Sequence, residues 1–186
     1  ITPEEFLPRE KLNETLAVTI HPGYAGKKNI DFPYDRNKKS TAYIPWNCGS
    51  HYVIGAMFCG TSDAFIKMSK TLKKNIEEDL KKNIIAKWHD ESQLNRYIIG
   101  KKNVRILPPQ YCYPCGMNVT YAKKISAVSK EAKFDVNTFK GQYKNQSSSL
   151  RTFMGKIKRK LMLKEHVLYF IDYIKCSKLG EVKDAE

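Results

Sequence analysis

Long hydrophobic runs are missing from this chain. No stretch approaches the roughly 18 to 20 apolar residues that a membrane-spanning helix needs, and the first twenty residues carry no signal-peptide pattern. Nor is there a Met at the start. The opening "ITPEEFLPRE" leads us to expect a fragment, from which an anchor or signal could have been lost. Acidic residues are scarce: 19 Asp and Glu stand against 33 Lys and Arg, a formal charge of +14. This favours an anionic partner, whether nucleic acid, a membrane face or a phosphorylated substrate, and charge alone does not choose among them. Cysteine is also sparse. Five Cys, odd in number and mostly scattered, exclude the dense disulfide framework of a small secreted scaffold, and most are expected to be free thiols. Internal repeats are absent.

What remains is enough for one domain. The 186 residues can bury a substantial core but not two ordinary ones, and 41% hydrophobic content with eleven Tyr indicates a folded chain. Leu16 to Ile20 read as a strand ending at His-Pro-Gly. "HYVIGAMFCG" (51–60) reads as a buried strand whose small residues let another element approach its backbone. From Ser62, the expected cap, Phe65, Met68, Leu72, Ile76 and Leu80 recur at helical spacing, with lysines on a solvated face. Ser92 to Ile99 form a second helix stopped by Gly100, and "VRILPPQYCYP" (104–114) gives a strand and a Pro-rich loop. Strands alternating with helices predict an α/β fold.

After about residue 140 the character changes. "GQYKNQSSS" reads as a linker. Beyond it Leu150, Phe153, Met154, Ile157 and Leu161 share one helical face, and Arg151, Lys156, Lys158, Arg159 and Lys160 fill the rest. Such a tail suits an anionic membrane surface, with docking on the domain or nucleic-acid contact as alternatives. We place the boundary between a domain at 1–143 and this tail at 144–186.

Two motifs bear chemistry. "CYPC" (112–115) has the spacing of a zinc or redox pair, but no second pair accompanies it, and incidental loop cysteines are the better reading. "KWHDESQLNR" (87–96) can be a plain helix start, with Asp90 as N-cap and Gln93 completing a capping box. The same geometry would hold Glu91 ionised beside Trp88, an apolar platform for a sugar face, and would suit a nucleophile or a stabiliser of an oxocarbenium ion.

Taken together, "HPGYAG", "YDR", "AYIP", "GSHYVIGAMFCGT", "WHDESQLNRY" and "LPPQY" resemble the successive motifs of glycosyltransferase family 6, in register without a gap from His21 to Pro114. The resemblance implies the C-terminal half of a GT-A fold, a mixed sheet flanked by helices. It also implies a retaining transfer of galactose or N-acetylgalactosamine from a UDP-sugar to the 3-OH of a galactose-type acceptor. Glu91 matches the catalytic carboxylate; His21 and Trp88 match acceptor contacts; His89 and Asp90 match donor-site positions. Ile54, Gly55 and Ala56 match the segment associated with donor choice, where the Ala56 methyl would crowd an acetamido group and tilts the expectation towards galactose. In "AVSKEAK" (127–133), Lys130, with Lys133 as the weaker match, would neutralise the leaving diphosphate. Pro33 and Pro114 replace a Thr and an Asp of the vertebrate enzymes, so acceptor identity is not carried over, and "YCYP" looks closer to bacterial members.

The family's metal-binding DXD, or the NXN of bacterial members, would lie upstream of Ile1. No metal ligands are therefore expected here, and these residues do not decide whether Mn2+ is used. The expected location is a membrane surface, cytoplasmic in a bacterium or lumenal in a eukaryotic Golgi. The alternative from another class is a non-catalytic basic module, either a degenerate glycan binder or a nucleic-acid contact protein. If these 186 residues were the whole polypeptide, they would be expected to bind UDP poorly and transfer little. A turnover assay on the isolated chain checks this.

Overall fold

The structure, a computed structural model, describes residues 1–116 and 118–128. The expectations for Lys130, Lys133, the linker, the tail and the boundary at 143 fall outside these residues.

A single helical turn, α1 (Pro3–Phe6), precedes the strand on which the fold is built. In β1 (Leu16–Ile20) the first four residues are all buried, so both faces are covered. A short run of apolar and β-branched residues without alternation is what such a central strand requires. β2 (Val53–Gly60) lies antiparallel on one side, pairing Leu16 with Gly60 and Val18 with Phe58 before the ladder turns irregular and Ile20 meets Val53. β3 (Val104–Leu107) lies parallel on the other side, giving the order β2-β1-β3.

A parallel neighbour requires a crossover, which two helices supply. α2 (Ser62–Lys81) begins at its expected cap, one residue earlier than expected: Thr61, not Ser62, is the N-cap, its side chain accepting from the Ala64 N–H. It ends in a left-handed Asn83 (φ 54°). There the Asn83 N–H donates to Leu80 O and the Ile84 N–H to Asp79 O, the two bonds of a Schellman stop. α3 (His89–Ile98) follows after a short loop, and Gly100 at φ 81° turns the chain into β3 (Val104–Leu107). Beyond it, β4 (Tyr113–Pro114) pairs with β5 (Ser126–Ala127) in a small parallel sheet. A mixed sheet flanked by helices is thus the observed architecture.

Leu16 and Val18 from β1, Val53 from β2, Met68 from α2 and Leu94 from α3 form the core between sheet and helices. A second cluster, Phe32, Tyr34, Ile44, Cys48 and Tyr52, fills the side towards the loops. Three expectations need correcting. β2 is mostly half-buried, with Ala56 exposed, because it is an edge of the three-stranded sheet. On α2, Phe65 and Leu80 are exposed, and the buried position near the helix end is taken by Asp79. α3 starts at His89, so Asp90 is an exposed first-turn residue rather than the N-cap. Gln93 does not close a capping box. It is buried and donates to Thr41 Oγ1 at 2.8 Å and to Asp79 Oδ2 at 3.2 Å.

Asp79 explains why α2 and α3 share a polar seam. Its carboxylate also accepts from Ser40 Oγ and from the Thr41 N–H, both at 2.8 Å, fastening the loop before β2 to the helix pair. The exposed Lys67, Lys70, Lys73, Lys74 and Lys81 form the solvated face expected of α2. Cys59, Cys112 and Cys115 are free thiols, so "CYPC" is not a disulfide. Replacing Asp79 by Ala removes the acceptor of three donors, Ser40 Oγ and Gln93 Nε2 in buried bonds and the Thr41 N–H in a part-buried one, and is expected to lower unfolding free energy by about 2–3 kcal/mol. Urea titration measures this, and a loss below about 0.5 kcal/mol, the scale of a surface change, would contradict it.

Candidate active site

The candidate residues gather where β1 ends and β2 begins, the end of a sheet at which α/β proteins place ligands. Glu91, in the first turn of α3, lies against β2. Tyr52 Oη donates to Glu91 Oε1 at 2.6 Å, and the Gly55 N–H donates to Oε2 at 2.8 Å. One turn along, Asn95 reinforces the contact. Its amide accepts from the Val53 N–H at 2.9 Å, donates to Val53 O at 2.8 Å, and reaches back to Glu91 O at 2.8 Å. Val53 and Gly55 are two apart, so their backbone groups face the same edge of the strand. Asn95 therefore serves Val53 as a missing strand neighbour would, and Glu91 takes the next N–H on that edge.

Gly55 lies close against Glu91, and a larger residue here would push on it. A Cβ at this position would stand 3.2 Å from Glu91 Cβ, tighter than ordinary contact. This is the close approach expected of the small residues in β2. Side chains alternate along a strand, so Ile54 and the exposed Ala56 occupy the face opposite the one Glu91 covers.

His21 closes the other wall. Its Nδ1 accepts from the Gly23 N–H at 3.0 Å, which leaves the neutral ring's proton on Nε2 as a free donor. The ring meets Tyr24 edge-on at 5.1 Å and Tyr52 at 5.8 Å, and Tyr52 continues through Tyr34 into the second core cluster. Burial pulls the His21 pKa below its ordinary value, and the Glu91 charge opposes the shift in part. Burial also drives the Tyr52 phenol far up, helped by its bond to Glu91, so it stays a hydrogen-bond donor.

Trp88 stands at the rim, 48% exposed. Its backbone N–H donates to Ser92 Oγ at 3.0 Å, the reciprocal half of a capping arrangement. The preceding Lys87 N–H donates to buried Asp35 at 2.9 Å, tying the approach to Trp88 into the loop after Phe32. His89 takes a left-handed φ of 51° at the first residue of α3, a conformation a His side chain seldom adopts. That turn carries the chain from Trp88 into the helix with Glu91 facing inward.

The structure thus brings together Glu91, Gly55 and His21, with Trp88, His89 and Asp90 on the adjoining rim and Ile54 and Ala56 flanking Gly55. Tyr52, Asn95 and Asp35 are functional neighbours the sequence reading missed. The available signal for Asn95 was its position one turn after Glu91 on the same helical face. Two surface clefts lie elsewhere, one edged by Arg9, Arg105 and Lys124 and the other by His51, Ile99 and Ile106, and Glu91 lines neither. Among the described residues no group of three or more His, Cys, Asp or Glu could hold a metal ion. No described helix is long and apolar enough to cross a membrane.

A carboxylate fixed by two donors at a sheet's end, with an imidazole donor and an indole beside it, is suited to meeting positive charge that develops on a sugar. Residues 5–140 match the model of Glycosyltransferase family 6, and the chain belongs to that family. It is 38% identical over 95 residues to histo-blood group ABO system transferase 2 of Rattus norvegicus, covering 51% of this chain and 28% of the relative. Against globoside alpha-1,3-N-acetylgalactosaminyltransferase 1 of Gallus gallus the identity is 36% over 104 residues, 56% and 30% of the two chains. Against the O-antigen biosynthesis glycosyltransferase WbnI of Escherichia coli it is 34% over 103 residues, 55% and 44%. The chain therefore spans less than half the length of each.

The pKa of His21 sets a pH dependence. Its folded value lies below the unfolded value of about 6.5, so the stability it contributes is complete above that pH and is lost as pH falls below it towards the folded value. The urea midpoint of the wild type is expected to fall more between pH 7 and pH 5 than that of His21→Gln. Equal slopes would show that His21 does not carry the effect.

Proposed function

We propose that the chain forms the acceptor-binding and catalytic part of a retaining glycosyltransferase. It transfers galactose, with N-acetylgalactosamine as second choice, from a UDP-sugar to the 3-OH of a galactose-type acceptor. The observation that carries this reading is the doubly held carboxylate of Glu91, supported by the family and by relatives whose names specify transfer of such sugars.

In this mechanism the bond between the anomeric carbon and the diphosphate breaks, and UDP leaves with the electron pair. The Glu91 carboxylate faces the positive charge left on the ring, as nucleophile or as ion-pair partner. Tyr52 and the Gly55 N–H fix its direction before the reaction, so little reorganisation is needed when charge develops. The acceptor hydroxyl then forms the new bond on the face the diphosphate left, displacing Glu91 where it had bonded to the sugar, and its proton passes to the departed diphosphate. Trp88 offers the apolar face on which the acceptor ring rests, and His21 Nε2–H donates to one of its hydroxyls. His89 and Asp90, at the exposed start of α3, meet the donor, as Ile54, Gly55 and Ala56 do from β2. Lys130 is proposed to neutralise the diphosphate. The composition of 150–175 supports a peripheral membrane location, on the cytoplasmic side in a bacterium or the Golgi lumenal side in a eukaryote.

Glu91→Gln in the full-length protein is expected to lower turnover of UDP-galactose and UDP-GalNAc more than a hundredfold, while Tyr52→Phe costs about tenfold through looser aim. A Glu91→Gln rate within threefold of wild type removes Glu91 from the catalytic role.

A further inference from the structure

The chain from Leu80 to Trp88, "LKKNIIAKW", joins α2 to α3 and contains three lysines and no acid. Three of the exposed large apolar side chains stand here: Ile85 is 69% exposed, Leu80 53% and Trp88 48%. The loop is held rather than loose. The Schellman bonds at Asn83 and Ile84 fix its start, and Asp35 holds the Lys87 N–H near its end. Asp79, through Ser40 and Thr41, brings the loop bearing exposed Lys38 and Lys39 to the same corner. Lys82 pairs with Glu78, whereas Lys38, Lys39 and Lys81 make no ion pair among the described residues. Asp90 is the exposed acid next in the chain.

Lysines alone would suit any polyanion, but a nucleic acid offers no apolar phase to Ile85 and Leu80. A lipid bilayer offers both, with headgroup phosphates for the ammonium groups and an acyl boundary for the apolar tips and the indole, which favours the interface.

We propose that this corner docks on an anionic lipid bilayer, placing the Trp88 rim of the site at the membrane surface. The docking does not rest on the transferase reading above. Its residues are not those of the segment at 150–175.

The test uses the full chain with Trp46→Phe, which leaves Trp88 as the sole tryptophan of the two in the sequence. The probes are vesicles of phosphatidylcholine with about 30% phosphatidylglycerol, in plain form and with brominated acyl chains, and neutral phosphatidylcholine vesicles as control. Binding to the anionic vesicles alone is expected, with a blue shift of Trp88 emission and quenching by the brominated lipid. Lys38→Glu, Lys39→Glu and Lys81→Glu together should weaken partition at least about twentyfold, on the scale of about fivefold per lysine near such a surface. Ile85→Ser should weaken it about threefold. The proposal is overturned if no binding occurs, if bound protein shows neither blue shift nor quenching of Trp88, or if the triple variant stays within threefold. Binding that heparin displaces and Ile85→Ser leaves unchanged would overturn it in favour of a polyanion. Since partition is read without donor and equally in Glu91→Gln, failed docking and failed transfer are separable.

Discussion

The site depends on one contact, the edge of β2 held by two side chains from α3. Glu91 and Asn95 lie one helical turn apart, and Val53 and Gly55 lie one strand repeat apart. The two periods coincide, so a helix meets a strand as if it were another strand. Backbone groups at a strand edge are costly to leave unpaired when buried, and here the carboxylate itself satisfies one of them. The structural role and the proposed chemical role therefore fall on the same oxygen pair, since whatever aims Glu91 also closes the sheet.

Around this contact the loops are fixed by acids rather than by hydrophobic burial alone. Asp35 and Asp79 are buried and accept hydrogen bonds from backbone and neutral side-chain donors across long sequence separations. Each converts a loop into a part of the scaffold. The division of charge in this basic chain follows: most lysines sit outside, while several of the few carboxylates are spent inside as hydrogen-bond acceptors that define geometry.

How much of this the sequence disclosed depends on the period of each signal. The Met68–Leu72 face was legible because one-sided burial imposes a helical period, "LAVTI" because burial on both faces leaves an unbroken apolar and β-branched run, and the six motifs placed Glu91 and its neighbours together. The helix starts were misread by one to three residues. Thr61 and Ser62 are both competent caps, and Asp90–Gln93 imitates a capping box while the real start lies at Trp88 with a left-handed His89. Tyr52, Asp35 and Asp79 were not legible, because a buried polar residue looks in sequence like any exposed one until its partner, some forty or fifty positions away, is known.

The alternation of β2 has a wider consequence. Gly55 faces the carboxylate, while its neighbours Ile54 and Ala56 face the other way. The two sides of one strand therefore answer to different limits: the middle position is confined by its close approach to Glu91, while the flanking pair is not. In the proposed transferase, side chains at the flanking pair can change size or polarity without moving Glu91.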